Sequence, residues 1–246
     1  MKTYGLFELG GRRVRSVLLV GLFDEQDIAG ADAVALDLRA DRMKNAAIAP
    51  ATVRAFTQRI GRSQTPPALL ALVPPPVDTD ALALALSLVV PHRPDAIVLS
   101  GATCGADVQK ADVMLSVEEA KAGLTVGHIA ILALAGDNPA GALSAASLAG
   151  KSKRLAGLAW NPAALGESLG ISAAIPSPRL PCGLATARGL ILLGAASASV
   201  AAVDWLGAET NEDSVSETCQ TALHDGFSAM ICERPEQVAT VNRLFS

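Results

Sequence analysis

The stretch Ile129–Gly150 reads IAILALA, then GDN, then PAGALSAASLAG, and it holds in miniature the unit from which the chain is built. Seven apolar residues in a row, Ile and Leu among small Ala, are what a parallel strand looks like when both its faces are covered. A turn follows, and Pro139 stands at the first position of a predicted helix, Pro139–Gly150, where its missing N–H costs nothing. The alternation recurs in both directions. Apolar runs at Ser16–Gly21, Ala33–Leu38, Ala68–Val73 and Ala96–Ser100 precede Ile129–Ala135; Leu155–Trp160, Ser199–Asp204 and Gly226–Cys232 follow it. Between them Pro50–Gly61, Asp78–Val90, Val108–Gly123, Thr186–Ala198 and Ser214–Asp225 read as helices. Strands alternating with helices imply right-handed crossovers and a parallel sheet, and eight such strands favour a closed (β/α)8 TIM barrel over an open sheet. No Gly/Ser/Pro-rich linker divides the chain, so residues 1–246 read as one domain. The irregular stretch is Gly170–Gly183, with three prolines, read as a site lid or a surface excursion.

Composition fits a large buried core: half of the residues are apolar and 18% are charged. Aromatics make up only 3%, so the core is expected to be assembled from many small contacts, and stacking platforms for RNA are missing. The net charge of −4 and the lack of a basic block argue against a nucleic-acid partner. The densest cationic stretch, Lys151–Arg154, reads as a solvated loop, with phosphate contact as the alternative. The longest uncharged run, Gly189–Val203, is 15 residues and contains Gly and Ser, too short and too polar to span a bilayer. Four cysteines without C-x-x-C spacing, and a polar, charged Met1–Arg15, point to reduced thiols in a cytoplasmic protein.

Several segments, taken in order, resemble the citrate lyase β-subunit-like enzymes of the HpcH/HpaI aldolase family. They are Arg15–Val20, Ala31–Leu38, Gly127–Ala135 with Asn138-Pro139-Ala140, and Lys153–Trp160. The most specific are C-terminal: Asp225-Gly226-Phe227, Pro235-Glu236-Gln237-Val238, Val241-Asn242 and Phe245. The resemblance implies carbon–carbon lyase chemistry on an acyl-CoA or 2-oxo acid, with Mg²⁺ polarising the carbonyl and stabilising the enolate. It also implies oligomers, trimers or hexamers, and a C-terminal lid, for which a chain ending at Ser246 leaves no room.

Set against the family pattern, the rim is depleted. Where relatives read Asp-Leu-Glu-Asp after the second strand, this chain has Asp37-Leu38-Arg39-Ala40. Leu72 stands where an Arg grips the substrate carboxylate, and Ser100-Gly101 replaces a Pro-Lys pair. Asp137 takes the place of a metal-binding Glu, shorter by one methylene, and Ala164 that of the second metal ligand. At the eighth strand Ile-His-Pro becomes Glu233-Arg234-Pro235. Residual rim candidates are therefore Asp37, Asp137, Asp204, Glu233 and Arg234, with Asp137 the candidate Mg²⁺ ligand. Taken singly, Asp37 and Asp204 read first as loop-holding acceptors, and Asp137 first as the cap of the helix begun by Pro139, ahead of metal ligation. His92 and His224 read as solvated, His128 as a residue of the barrel's stability face at the start of the fifth strand, and Cys182 and Cys232 as buried and inert, with Arg234 the only nearby cation. The mouth is expected to be apolar, lined by Leu72, Pro74, Pro75, Gly101, Trp160, Pro162, Ala163 and Ala164. The leading expectation is a lyase-like barrel that serves as a non-catalytic or altered-activity subunit or binding protein. It would act in a homo- or hetero-oligomer, an active paralogue being the natural partner. The alternative is a Mg²⁺-dependent carbon–carbon lyase or thioesterase acting on an acyl-CoA or 2-oxo acid through a rearranged rim.

Overall fold

The computed structural model describes residues 5–21, 28, 30–39, 49–61, 65–171 and 180–246. After a two-stranded hairpin, β1 (Glu8–Leu9) and β2 (Arg12–Arg13), come β3 (Ser16–Gly21), β4 (Ala33–Asp37), α1 (Ala49–Gly61) and β5 (Ala68–Val73). Next are α2 (Thr79–Val89), β6 (Ala96–Leu99), α3 (Gly105–Lys121), β7 (Ala130–Gly136), α4 (Pro139–Leu143) and β8 (Leu155–Trp160). The chain finishes with α5 (Pro162–Ser168), α6 (Cys182–Ala198), β9 (Ala201–Leu206), α7 (Glu212–Asp225), β10 (Ala229–Cys232) and α8 (Pro235–Leu244). Strands β3 to β10 pair in chain order, all parallel, and β10 closes on β3 through Met230–Ser16, Ile231–Val17 and Cys232–Leu18. The sheet is a closed (β/α)8-type barrel, as the eight apolar runs require.

Alternation along each strand separates two cores. Ala33, Ala35, Leu70, Leu72, Val98, Leu132, Leu134, Val203, Trp205 and Ile231 pack inside the barrel; Val34, Leu36, Leu69, Ala71, Ile97, Leu99, Ala202, Leu206 and Cys232 pack against the helices. Leu, Val and Ile fill both layers, and alanines among them fit the interior to the limited room that a ring of eight strands leaves. The N-terminal hairpin plugs one end. Phe7, Leu9 and Val14 join the interior cluster, and Arg12 donates to the Pro66 carbonyl just before β5. Isolated in the sequence, Leu9-Gly10-Gly11-Arg12 turns out to be the tip of this plug, with Gly10 and Gly11 at φ +56° and +74°.

Boundaries depart from expectation where backbone geometry intervenes. Ser199 sits at φ 57°, ending α6, so the next strand begins at Ala201 and runs on to Leu206. Gly226 caps α7 at φ +107°, which delays β10 to Ala229. The helix expected over Pro139–Gly150 stops at Leu143 and continues as a 3₁₀ turn over Ala145–Leu148. There α6 packs so closely that a Cβ added to Gly194 would lie 2.7 Å from the Ala145 Cβ. Helices α5 and α8 were not anticipated. Most of the prolyl excursion, residues 172–179, lies outside the described residues, while Leu180 and Cys182 at its end are exposed.

The Lys151–Arg154 loop is not simply solvated. Arg154 is buried: it pairs with Glu119 at 2.6 Å and with Asp112, and donates to the Ile129 carbonyl and Ser116 Oγ. Among the described residues no helix is long and apolar enough to cross a membrane.

Candidate functional site

In a parallel barrel, side chains at the C-terminal strand ends converge on one mouth. Asp37 ends β4, in register with Leu72 of β5; Ala33 and Ala35 face inward, and by alternation so does Asp37. Its side chain is only 5% exposed, yet it does not stand alone. The Arg39 guanidinium grips it, Nε to Oδ1 at 3.0 Å and Nη2 to Oδ2 at 2.7 Å, while the Arg39 backbone N–H donates to Oδ1 at 3.1 Å. Such a bidentate fork is among the strongest polar contacts an arginine makes.

Asp137 follows β7, three strands round the ring. Its Oδ2 accepts the Gly101 N–H at 2.7 Å and its Oδ1 the Asn138 side-chain amide at 2.8 Å. The cap of α4 is Asn138, which accepts from Gly141 N, rather than Asp137. Gly101 can present its N–H in this way because φ is +61° there, and a Cβ would meet the Pro75 Cβ at 2.5 Å. Burial pushes the Asp137 carboxyl above its ordinary range, and the Gly101 and Asn138 donors and the Arg39 charge offset this only in part.

Asp204 points the other way. Val203 and Trp205 belong to the interior cluster, Ala202 and Leu206 to the helix-facing one, and Asp204 shares their side. It is buried between β9 and α6, where it accepts the Trp160 indole N–H and pairs with Arg188 Nη2 at 2.8 Å. Arg188 also pairs with Asp225 and lies over the Phe227 ring, 4.6 Å from its centroid. Burial alone would lower the Arg188 pKa, but Asp204 and Asp225 raise it, so the charge is secure. Asp204 is thus a buried counter-ion of the helix layer, off the mouth, and Trp160 is turned outward with it.

Glu233, just past β10, accepts the Trp205 indole N–H at 2.8 Å; the neighbouring Arg234 is exposed at the start of α8. Trp205 and Arg188 were not singled out in the sequence. Cys232 is buried, its thiol pKa pushed strongly up, and burial beside Asp204 raises Cys219 to about 11; neither is a ready nucleophile. Cys182, expected to be buried, is exposed in the first turn of α6. His128 and His224 are exposed; His92 is half-buried against Thr57 Oγ1, and burial with Arg54 lowers its pKa. Of the expected apolar lining, Leu72, Pro74 and Trp160 are buried rather than open, Pro75, Gly101, Pro162 and Ala164 are half-buried, and only Ala163 is exposed. The N–H groups of Ala163 and Ala164 are taken by Asn161 Oδ1 at 3.0 and 3.1 Å.

Mg²⁺ binds through hard oxygens, with one or two carboxylates free to supply lone pairs. Here Asp37 is occupied by a cation of the chain itself, and Ala164 offers no ligand. Among the described residues no three His, Cys, Asp or Glu side chains gather to hold a metal ion. The described residues do not fit a Mg²⁺ centre.

Solved structures share the fold, three of them as follows. RipC from Yersinia pestis is 21% identical with TM-score 0.72, over 100% of this chain and 97% of its own. CitE from Mycobacterium tuberculosis, in complex with magnesium, acetoacetate and coenzyme A, is 20% identical with TM-score 0.73, over 94% and 80%. The citrate lyase β subunit from M. tuberculosis, complexed with oxaloacetate and magnesium, is 20% identical with TM-score 0.72, over 94% and 96%. A search of curated protein sequences finds no match. At these identities the structural likeness speaks for the fold alone. The sequence model of the HpcH/HpaI aldolase/citrate lyase family, however, matches residues 21–235, nearly the whole barrel, and the chain belongs to that family.

Proposed function

We propose that this protein is a member of the family without Mg²⁺-dependent lyase activity, serving as a binding or assembly subunit of a cytoplasmic oligomer. The observation that carries the reading is the state of the two mouth carboxylates. Asp37 is held in a bidentate fork by Arg39, and Asp137 is held by Gly101 and Asn138. A metal would have to displace these donors, and among the described residues no cluster of three His, Cys, Asp or Glu side chains stands ready to complete its shell. Lewis-acid stabilisation of an enolate supplies several kcal/mol in such reactions, and Leu72 cannot replace a guanidinium anchor for a substrate carboxylate. The solved M. tuberculosis structures hold magnesium with oxaloacetate, or with acetoacetate and coenzyme A. An acyl-CoA or oxo-acid ligand is accordingly the first class to screen, with chemistry lost and the pocket reused. A paralogue with an intact rim is the partner that best suits a catalytically depleted subunit.

The test is calorimetric titration of the purified protein with Mg²⁺ in the presence of oxaloacetate, beside a cleavage assay on citryl-CoA and malyl-CoA. No heat and no cleavage are expected. Micromolar Mg²⁺ affinity, or turnover that EDTA abolishes, would overturn the reading.

A further inference from the structure

We infer that Arg39 is a tethered cation standing in the electrostatic place of the metal, and that its guanidinium, more than the lost ligand at position 164, keeps divalent ions out of the mouth. The inference rests on the reading of the mouth as metal-free. It goes beyond it by naming the cause, which absence of ligands alone does not supply.

Three observations meet here. First, Arg39 is built in: its own backbone N–H and its side-chain fork both land on Asp37, so the residue is pinned at two points to the carboxylate it neutralises. Second, the pair is shielded, Asp37 at 5% and Arg39 at 30% side-chain exposure, so solvent screens their attraction far less than that of a surface pair. Third, Asp137 just past β7, the other carboxylate of the mouth, has both oxygens engaged, by the Gly101 N–H at 2.7 Å and the Asn138 amide at 2.8 Å, and the Arg39 charge is among the influences that favour its charged form. An incoming Mg²⁺ would therefore meet a fixed positive charge beside one ligand and donors already seated on the other. At contact distances like-charge repulsion is not small even at the effective dielectric of a protein surface.

The probe is Mn²⁺, followed by electron paramagnetic resonance of the free ion, with Mg²⁺ competition. The native protein and Arg39→Lys, which keeps the charge, should bind no Mn²⁺ below the millimolar range. Arg39→Gln, which removes the charge at nearly constant length, should bind at least tenfold more tightly than the native chain. Arg39→Glu, which adds a third carboxylate beside Asp37, should bind more tightly again. Thermal melts of each variant accompany the titrations, and if Arg39→Gln does not fold, Arg39→Glu against Arg39→Lys decides. Native protein that binds Mn²⁺ as well as the variants would overturn both this inference and the metal-free reading. A native protein blind to Mn²⁺, with folded Gln and Glu variants equally blind, would overturn this inference alone and return the cause to the missing ligands.

Discussion

A carboxylate near the end of a parallel strand can point into the barrel or out against the helices, and a single residue of register decides which. Asp37 goes in and Asp204 goes out, although both end runs of near-continuous apolar residues. The run Ser199–Asp204 is apolar on both faces, so nothing in it marks parity; only the observed pairing of β9 with β8 and β10 does. Arg39 was legible in a different sense. A cation two residues after a strand-end Asp is a signal for a local fork, yet compared with a family pattern it registers only as a missing acid. Replacing Asp204 with Ala would leave Arg188 and the Trp160 indole without their shared acceptor. Breaking a buried pair from one side costs about 3–5 kcal/mol, and urea unfolding should show that loss with no change in Mn²⁺ binding. Gly101→Ala should cost about 1–3 kcal/mol for the backbone conformation alone, with more from the approach to Pro75. That variant should melt at a lower temperature than the native chain in the same buffer.

At the scale of elements, strands were read to within one to three residues because both-face burial demands unbroken apolar runs. Helices were read less well. Two short ones, α5 and α8, each begin with Pro after Asn161 or Arg234, a start signal that the family comparison had absorbed as motif. The joint between α3 and β8 was the largest misreading, since a Lys/Arg-rich loop looks solvated until its partners on another element are known. Glu119, fully buried on α3, accepts Arg154 and the backbone N–H groups of Gly127 and Ile129. Burial by itself would raise its pKa, but these donors together hold it below the ordinary carboxylate range. With the folded value depressed, the group stabilises the fold above its unfolded pKa, and that contribution is lost as pH falls through the folded one. Glu119→Gln should therefore cost about 3–5 kcal/mol at pH 7. The gap between native and variant stabilities should narrow steadily below pH 5 in denaturant titrations; a gap that stays constant would show that the pair is not the origin of the effect.

For the molecule as a whole, the barrel followed from counting, whereas the plug at its far end did not, because four hairpin residues carry no periodicity. Phe7 is fully buried inside the barrel, and Phe7→Ala should lower stability by about 3–5 kcal/mol while leaving the mouth at the opposite end untouched. Sedimentation at micromolar concentration should give a species larger than the 25.1 kDa protomer; a clean monomer would favour metabolite binding over assembly. Closure has a further consequence during synthesis. Strand β3 leaves the ribosome among the first elements, but one of its edges is paired only when β10 arrives, roughly 200 residues later at translation rates of about 5–20 residues per second. For some 10–40 s, on the order given by those rates, the nascent chain carries an apolar strand with an unsatisfied edge, the kind of template on which chains join one another. The ring that leaves the finished barrel with no edge thus makes its own birth the moment of greatest exposure.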